Sequence, residues 1–218
     1  MKEFLPSFVF NRSRGLNKQK VEDINFKIKD FIIDSKHINS VKGREIVLEL
    51  GSGYGDTIIH LAKLYPQKLF IACEVYPKAL MSIYQRAKDE NLTNVKLFNQ
   101  DARLLLKDLN DTSLSLILVL FPDPWPKARH FKRRIIKHET LALFKQKLKS
   151  NGEVFIATDH ESYKEWIATT ILNQDLFAWQ AECEADFTQK PEWWTQTKFQ
   201  SKAINEGRST AYIKLKSI

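Results

Sequence analysis

The sequence predicts an α/β domain built on a doubly wound, mostly parallel seven-stranded sheet with helices on both faces. Three observations carry that prediction. Short apolar runs alternate with amphipathic segments of helical period along most of the chain, the pattern of strand–helix–strand units. The run Leu114–Phe121 is almost wholly apolar, as expected of a central parallel strand covered on both sides. And Ile46–Leu50 breaks into Gly51, Gly53 and Gly55 before a new apolar period at Ile58, Ile59, Leu61, Ala62 and Leu64, which reads as strand, tight turn and helix.

The elements follow in order. Residues 1–20 carry Arg12, Arg14, Lys18 and Lys20 with few apolar anchors and read as a flexible basic arm; residues 21–218 read as one domain. Val21, Ile24, Phe26, Ile28, Phe31 and Ile32 suggest a helix that covers the sheet. Ile46–Leu50 is the first strand and Leu69–Glu74 the second. Pro77, suited to a first helical position, opens a helix to about Glu90. Val95–Phe98 is a third strand, followed by a helical segment over Leu104–Leu109. After Leu114–Phe121, residues Glu139–Leu148 are helical, Asn151-Gly152 closes that helix, and Glu153–Ala157 is a fifth strand. Tyr163–Leu172 is helical, and Phe177–Ala181 and Ala211–Leu215 are late strands with an antiparallel edge expected.

The chemistry gathers where strands end. Gly51, Gly53 and Gly55 permit positive φ and let a ligand lie on bare backbone, and the following helix start offers unpaired N–H groups. The spacing is G-x-G-x-G, not the dinucleotide pattern G-x-G-x-x-G. Glu49, a carboxylate beside the glycines, suits a cationic ligand better than a pyrophosphate; S-adenosylmethionine carries both an ammonium and a sulfonium. Glu74, at the end of the next strand, can accept both hydroxyls of a ribose. Glycines also make ordinary loops and a strand-end glutamate can be merely solvated; the two acids and the glycines together look like the nucleoside-binding half of a class I methyltransferase.

Composition narrows the class. With 218 residues, 43% hydrophobic and 11% aromatic, the chain is globular rather than disordered. Its net charge of +8 favours a polyanionic partner such as nucleic acid. Cys73 and Cys183 have neither disulfide nor metal-ligand spacing, and Cys73 falls in a predicted buried strand. His130 and His138 lack the Cys or acid set of a metal centre, so no metal is expected. No apolar run is long enough to span a bilayer and the first residues lack a signal peptide's apolar core, so a cytoplasmic location is expected.

Directly after the central run comes Phe121-Pro122-Asp123-Pro124-Trp125-Pro126-Lys127. Three alternating prolines fix their own φ and bias their predecessors towards extended geometry, giving a stiff loop that presents Asp123, Trp125 and Lys127. Basic residues follow at once: Lys127, Arg129, His130, Lys132, Arg133, Arg134, Lys137 and His138. Such density reads as a phosphate-contacting surface, against the alternative of a solvated charged face.

This stretch, Phe121–Lys127 followed by Arg129-His130-Phe131-Lys132-Arg133-Arg134, resembles the signature of bacterial tRNA (guanine-N7)-methyltransferases. The glycine segment, Glu74, Asp101, Thr197-Lys198-Phe199 and the arm segment Arg14–Lys18 match that family in the same order. The resemblance implies a Rossmann-like class I fold and methyl transfer from S-adenosylmethionine to N7 of guanine 46 in the tRNA variable loop. It implies that Glu49, Gly51, Gly53, Gly55, Glu74, Asp101 and Asp123 line the cofactor or reaction centre. Lys127, Asp159, Thr197, Lys198, Phe199 and Gln200 would contact the tRNA. Phosphates would meet Lys127, Arg129, Lys132, Arg133 and Arg134, with Arg12 and Arg14 of the arm. The family usually has glutamate where this chain has Gln200, which keeps an acceptor oxygen and loses the charge. Trp193-Trp194 could stack on a base, with at least one of them expected in the core. The remaining alternatives are methylation of an RNA base amino group, and a catalytically silent tRNA-binding module of the same fold.

Overall fold

Apolar runs of four to seven residues bounded by turns become strands here, and the longer periodic segments become helices. The computed structural model describes residues 15–218. Seven strands are hydrogen-bonded in the order β3-β2-β1-β4-β5-β7-β6: β1 Ile46–Leu50, β2 Leu69–Cys73, β3 Val95–Phe98, β4 Leu114–Leu120, β5 Leu148–Thr158, β6 Phe177–Trp179 and β7 Ala211–Ser217. The mixed α/β architecture is the one the sequence predicts. By its internal contacts the chain falls into two units, the first ending at Leu109 and the second running Asn110–Ile218; Arg12 and Arg14 of the basic arm lie outside the described residues.

In the first unit, helix α1 (Lys18–Ile28) begins at Lys18 because the Asn17 side chain accepts from the Lys20 N–H at 2.9 Å, a polar N-cap. Lys18 and Lys20, which the sequence assigned to the arm, are therefore helical. The helix also ends earlier than its apolar residues suggest. After a 3-10 turn over Lys29–Phe31, Ile32 bridges Leu97 in parallel and the Ile33 N–H donates to Leu97 O at 2.9 Å, which draws the chain out into an extended form. Phe26 stays 70% exposed. A short helix α2 (Ser35–Ser40) that periodicity does not reveal precedes β1.

β1 and β2 are buried at every position and pair in parallel, Glu49 opposite Ala72 and Leu50 opposite Cys73; β2 pairs in parallel with β3. Helices α3 (Asp56–Leu64) and α4 (Pro77–Asp89) bury Ile58, Ile59, Leu61, Leu80 and Ile83. Each such side chain contributes about 1.5–3 kcal/mol. Helix α5 (Ala102–Asp108) closes the unit.

The second unit is built on β4 and β5 in parallel, with β7 antiparallel to β5 and β6 antiparallel to β7. The antiparallel edge is there, with the last strand inserted inside it. β5 starts at Leu148, immediately after helix α6 (His138–Lys147), rather than at Glu153. Leu114 faces Leu148 while Leu116 faces Glu153, so Lys149–Gly152 form an irregularity in the strand. Asn151-Gly152 thus lies in a bulged strand, not in a helix-closing turn. Helices α7 (Glu161–Leu172), α8 (Ala185–Thr188) and α9 (Lys198–Asn205) complete the unit, with a 3-10 segment over Ala128–Arg133.

Candidate active site

The glycine turn in the first unit is pinned by backbone bonds. The Gly51 and Ser52 N–H groups donate to Cys73 O at 2.8 and 3.0 Å, and the Gly55 N–H donates to Ser52 O. Gly51, Gly53 and Gly55 all have positive φ, at 75°, 51° and 82°. At Gly55, which caps α3, a Cβ would also meet Ile83 Cγ1 at 2.6 Å, so no other residue fits without movement.

Two of the predicted acids meet at this turn. Glu74 Oε2 accepts from the Gly53 N–H at 2.9 Å, and its Oε1 accepts from the Val75 and Tyr76 N–H groups at 2.7 and 2.9 Å. The carboxylate is locked in place by three donors while retaining acceptor capacity for a ligand. Glu49 is only 3% exposed and its Oε2 has no hydrogen-bond partner among the described residues. Burial, with the negative charges of Asp56 and Glu74 adding, pushes its pKa up to about 8 against the opposing bond from Ser52. A buried carboxyl with an orphaned oxygen fits a positively charged ligand, whose arrival would favour the ionised form. Asp101 caps α5, accepting from the Arg103 N–H at 3.0 Å, and its side chain pairs with the buried Arg103 guanidinium. The thiol of Cys73, buried as expected, is pushed well above its usual pKa by burial first, then by Glu49, Asp101 and Glu74.

In the second unit, β4 ends at Leu120 and the proline-rich loop begins with a reversal. Phe121 and Trp125 sit at φ of 48° and 44°, a conformation that is strained for bulky side chains and costs about 1–3 kcal/mol at each. Between them Asp123 reaches solvent, with no hydrogen-bond partner among the described residues. Desolvation by its surroundings nevertheless raises its pKa above 3.8. The Trp125 ring is held edge-on by His130 and capped by the Arg133 guanidinium 4.8 Å from its centre. Desolvation and the neighbouring Arg133, Arg129, Lys127 and Lys132 lower the pKa of His130.

The basic run divides. Lys127, Arg129 and Lys132 are exposed, and Arg133 is partly so. Arg134 is 1% exposed. Its Nε donates to Pro124 O at 2.9 Å, and its guanidinium lies 3.8, 4.9 and 5.1 Å from the ring centres of Phe131, Trp166 and Tyr163. The expectation that Arg134 meets phosphate is therefore wrong: its side chain is enclosed by aromatic rings. Tyr163 and Trp166, neither singled out in the sequence, lie three apart on α7 and so share a face, which was the available signal.

Three of the predicted tRNA-facing residues, Asp159, Thr197 and Gln200, are committed to the protein, Lys127 is exposed, and the side chains of Lys198 and Phe199 lie outside the described residues. Asp159 Oδ2 accepts from Arg208 Nε at 2.7 Å, a partner that nothing in the sequence marks. Thr197 is the N-cap of α9 and accepts from the Gln200 N–H. Gln200 is 6% exposed; its Oε1 accepts from Trp194 Nε1 at 2.6 Å and its Nε2 donates to the Tyr212 hydroxyl. The side chains of Thr197 and Gln200 therefore brace α9 instead of facing a ligand. Gln200 suits a site that asks it to accept and to donate. Trp194 is core, ringed by Phe121, Phe155 and Tyr212, whereas Trp193 is part-exposed against Phe155.

Known proteins are similar to this chain throughout. A family described as "Putative methyltransferase" matches residues 43–213. A tRNA (guanine-N(7)-)-methyltransferase of Rhizobium etli is 33% identical over 219 residues, covering 96% of this chain and 95% of its own. One from Wolbachia pipientis wMel is 37% identical, covering 84% and 79%. Among solved structures, the 16S rRNA methyltransferase KamB superposes with a TM-score of 0.56 at 16% identity, covering 84% of this chain and 90% of that one. An rRNA methylase from Streptococcus thermophilus does so with 0.55, also at 16%, covering 90% and 95%. The glycine turn with its flanking acids, the proline-locked aspartate loop and this span of similarity place the chain in the tRNA (guanine-N7)-methyltransferase family of class I S-adenosylmethionine-dependent enzymes.

Proposed function

We propose that the chain methylates N7 of guanine 46 in the tRNA variable loop, and that Asp123 orients the base and stabilises the charge it acquires. The observation that carries this reading is the loop: an acid with a raised pKa, without a hydrogen-bond partner among the described residues, set between two bulky residues in left-handed backbone. Such strain persists where a side chain must be aimed.

Bound S-adenosylmethionine supplies an electrophilic methyl group. Glu49, Gly51, Gly53, Gly55, Glu74 and Asp101 would hold it: Glu49 by its orphaned oxygen, the glycines by exposed backbone, Glu74 by the acceptor capacity its three backbone bonds leave free, and Asp101 from the start of α5. Guanine N7 has an in-plane lone pair and no proton to lose, so no general base is needed. What the reaction asks for is alignment and a field that tolerates a cationic ring. Asp123 can accept from the guanine N1–H and amino group and lower the energy of that ring. Lys127, Arg129, Lys132 and Arg133 are assigned to tRNA phosphates, as are Arg12 and Arg14. Asp159 is assigned to tRNA through its pairing with Arg208, and Lys198 and Phe199 by their place at the start of α9.

The test is nucleoside analysis of tRNA after reaction with labelled S-adenosylmethionine. N7-methylguanosine at position 46 is expected; a base-amino product, or none, would replace this reading with amino methylation or silent binding. Asp123→Ala should lose one or two charge-assisted hydrogen bonds of about 1.5–3 kcal/mol each, or ten- to several-hundred-fold or more in kcat/KM. The acid limb of the wild-type pH profile should lie above the ordinary aspartate pKa of 3.8. A folded Asp123→Ala with wild-type rate removes Asp123 from the reaction.

A further inference from the structure

We propose that Arg134 is the positioning residue for Asp123, through the hydrogen bond from its Nε to the carbonyl of Pro124. This rests on the reading of Asp123 given above, and it concerns a residue whose place in a run of cations conceals what it does.

A buried guanidinium is a costly way to fill a core. Arg134 has no carboxylate as hydrogen-bond or ion-pair partner among the described residues, and its Nη2 is buried without a hydrogen-bond partner there. Desolvation correspondingly lowers its pKa. Three aromatic faces, Phe131, Trp166 and Tyr163, compensate in part. Two of those rings are themselves anchored: Trp166 Nε1 donates to Ile136 O at 2.7 Å, and the Ile136 N–H donates to the Tyr163 hydroxyl at 3.2 Å. The result is a socket, two of its rings on α7 and the third on the 3-10 segment, that directs one donor, Nε, at one acceptor, Pro124 O.

That acceptor belongs to the residue after Asp123. Prolines cannot donate, so Pro122, Pro124 and Pro126 leave the loop few backbone bonds of its own, and Phe121 and Trp125 hold strained φ values on either side. A loop that cannot stabilise itself needs an external restraint, and the Nε bond supplies one next to the acid. A shift of the order of 1 Å in a charge-stabilising group is enough to impair a positioned reaction.

The side-chain chemistry allows the bond to be separated from charge and from filling. Glutamine Nε2 stands the same number of bonds from Cα as arginine Nε, so Arg134→Gln keeps a donor at that point and loses the charge. Arg134→Met keeps an apolar filling without a donor. Arg134→Lys keeps the charge but places a methylene where Nε was. Single-turnover rates at saturating cofactor and tRNA, cofactor affinity by calorimetry and melting temperature are measured for all three, with Asp123→Ala and the edge-strand variant Phe177→Leu alongside. Expected are a rate for Arg134→Gln within about fivefold of wild type, rates for Arg134→Met and Arg134→Lys at least tenfold below Arg134→Gln, and cofactor affinity within about twofold throughout. Phe177→Leu should lose stability and keep its rate. The proposal is overturned if the Gln, Met and Lys variants turn over alike, if Lys exceeds Gln, or if all track melting temperature as Phe177→Leu does. Should Asp123→Ala turn over like wild type, it is the reading of Asp123 that fails; should Asp123→Ala be impaired while Arg134→Gln and Arg134→Met match, only the positioning role does.

Discussion

Glu49 sits almost out of solvent at the end of a fully buried strand, and that position determines how it titrates. Its proton stays on to about pH 8 in the folded protein, against 4.5 as the ordinary value. Between those limits the folded state holds the extra proton, so stability falls as pH rises through the window and the full penalty stands above about 8. Each unit of displacement corresponds to about 1.4 kcal/mol. Glu49→Gln should therefore flatten the stability–pH curve across that window, measured as urea midpoints; parallel curves would show that Glu49 does not carry the raised pKa. In the proposed cofactor role, a cation beside the orphaned oxygen would favour the ionised form, and binding below about pH 8 should release a proton, read by calorimetry in buffers of different ionisation enthalpy. That Glu49 and Glu74 come together at the glycine turn was legible, because each stands at the end of a run that reads as a strand and parallel neighbours end on the same edge of the sheet. Arg134 was not, because five cations within eight residues look alike in sequence whether they face water or aromatic rings.

The strand–turn–helix formed by β1, the glycines and α3 was readable to within two residues, since periodicity and glycine spacing are both local. Its tightest point is Gly55, where two costs coincide: φ of 82° and a 2.6 Å approach to Ile83 Cγ1. Gly55→Ala should destabilise by roughly 1–3 kcal/mol or more. In an Ile83→Ala background the steric part should vanish and only the backbone part remain, so a double-mutant cycle by urea denaturation should give a coupling that favours the double variant. Strict additivity would mean that Ile83 yields freely. Other elements were hidden by cues that compete. Thr197 and Gln200 stand three apart, the spacing of a helix start, but the same residues also read as a ligand-contact segment, which conceals α9. Asn151-Gly152 suggests a turn wherever it occurs, but Leu148 and Glu153 on either side both pair with β4, which keeps the dipeptide within the strand as a bulge.

At the scale of the whole molecule, the net charge of +8 becomes a measurable salt dependence. Each phosphate neutralised should steepen the fall of log affinity with log salt by about 0.7 on single strands, and by up to about 0.9, the B-form DNA value, on a duplex. Arg129→Ala with Lys132→Ala should lower the slope by that amount per lost contact, whereas Arg134→Gln should leave it unchanged because Arg134 is enclosed. An equal loss of slope from Arg134→Gln would place that guanidinium on the tRNA. The strand order was legible only in part: parallel strands joined by helices follow from the alternation, but nothing local says that β7 enters between β5 and β6. That insertion sets a timetable for synthesis. β6 leaves the ribosome ahead of β7, yet β7 is its only strand partner among the described residues. Until residues 211–217 emerge, β5 therefore carries one bare edge of unpaired N–H and C=O groups, an invitation to pair with another chain. A chain truncated after Thr210 should accordingly bind chaperone or aggregate, and the chain that includes residues 211–217 should not.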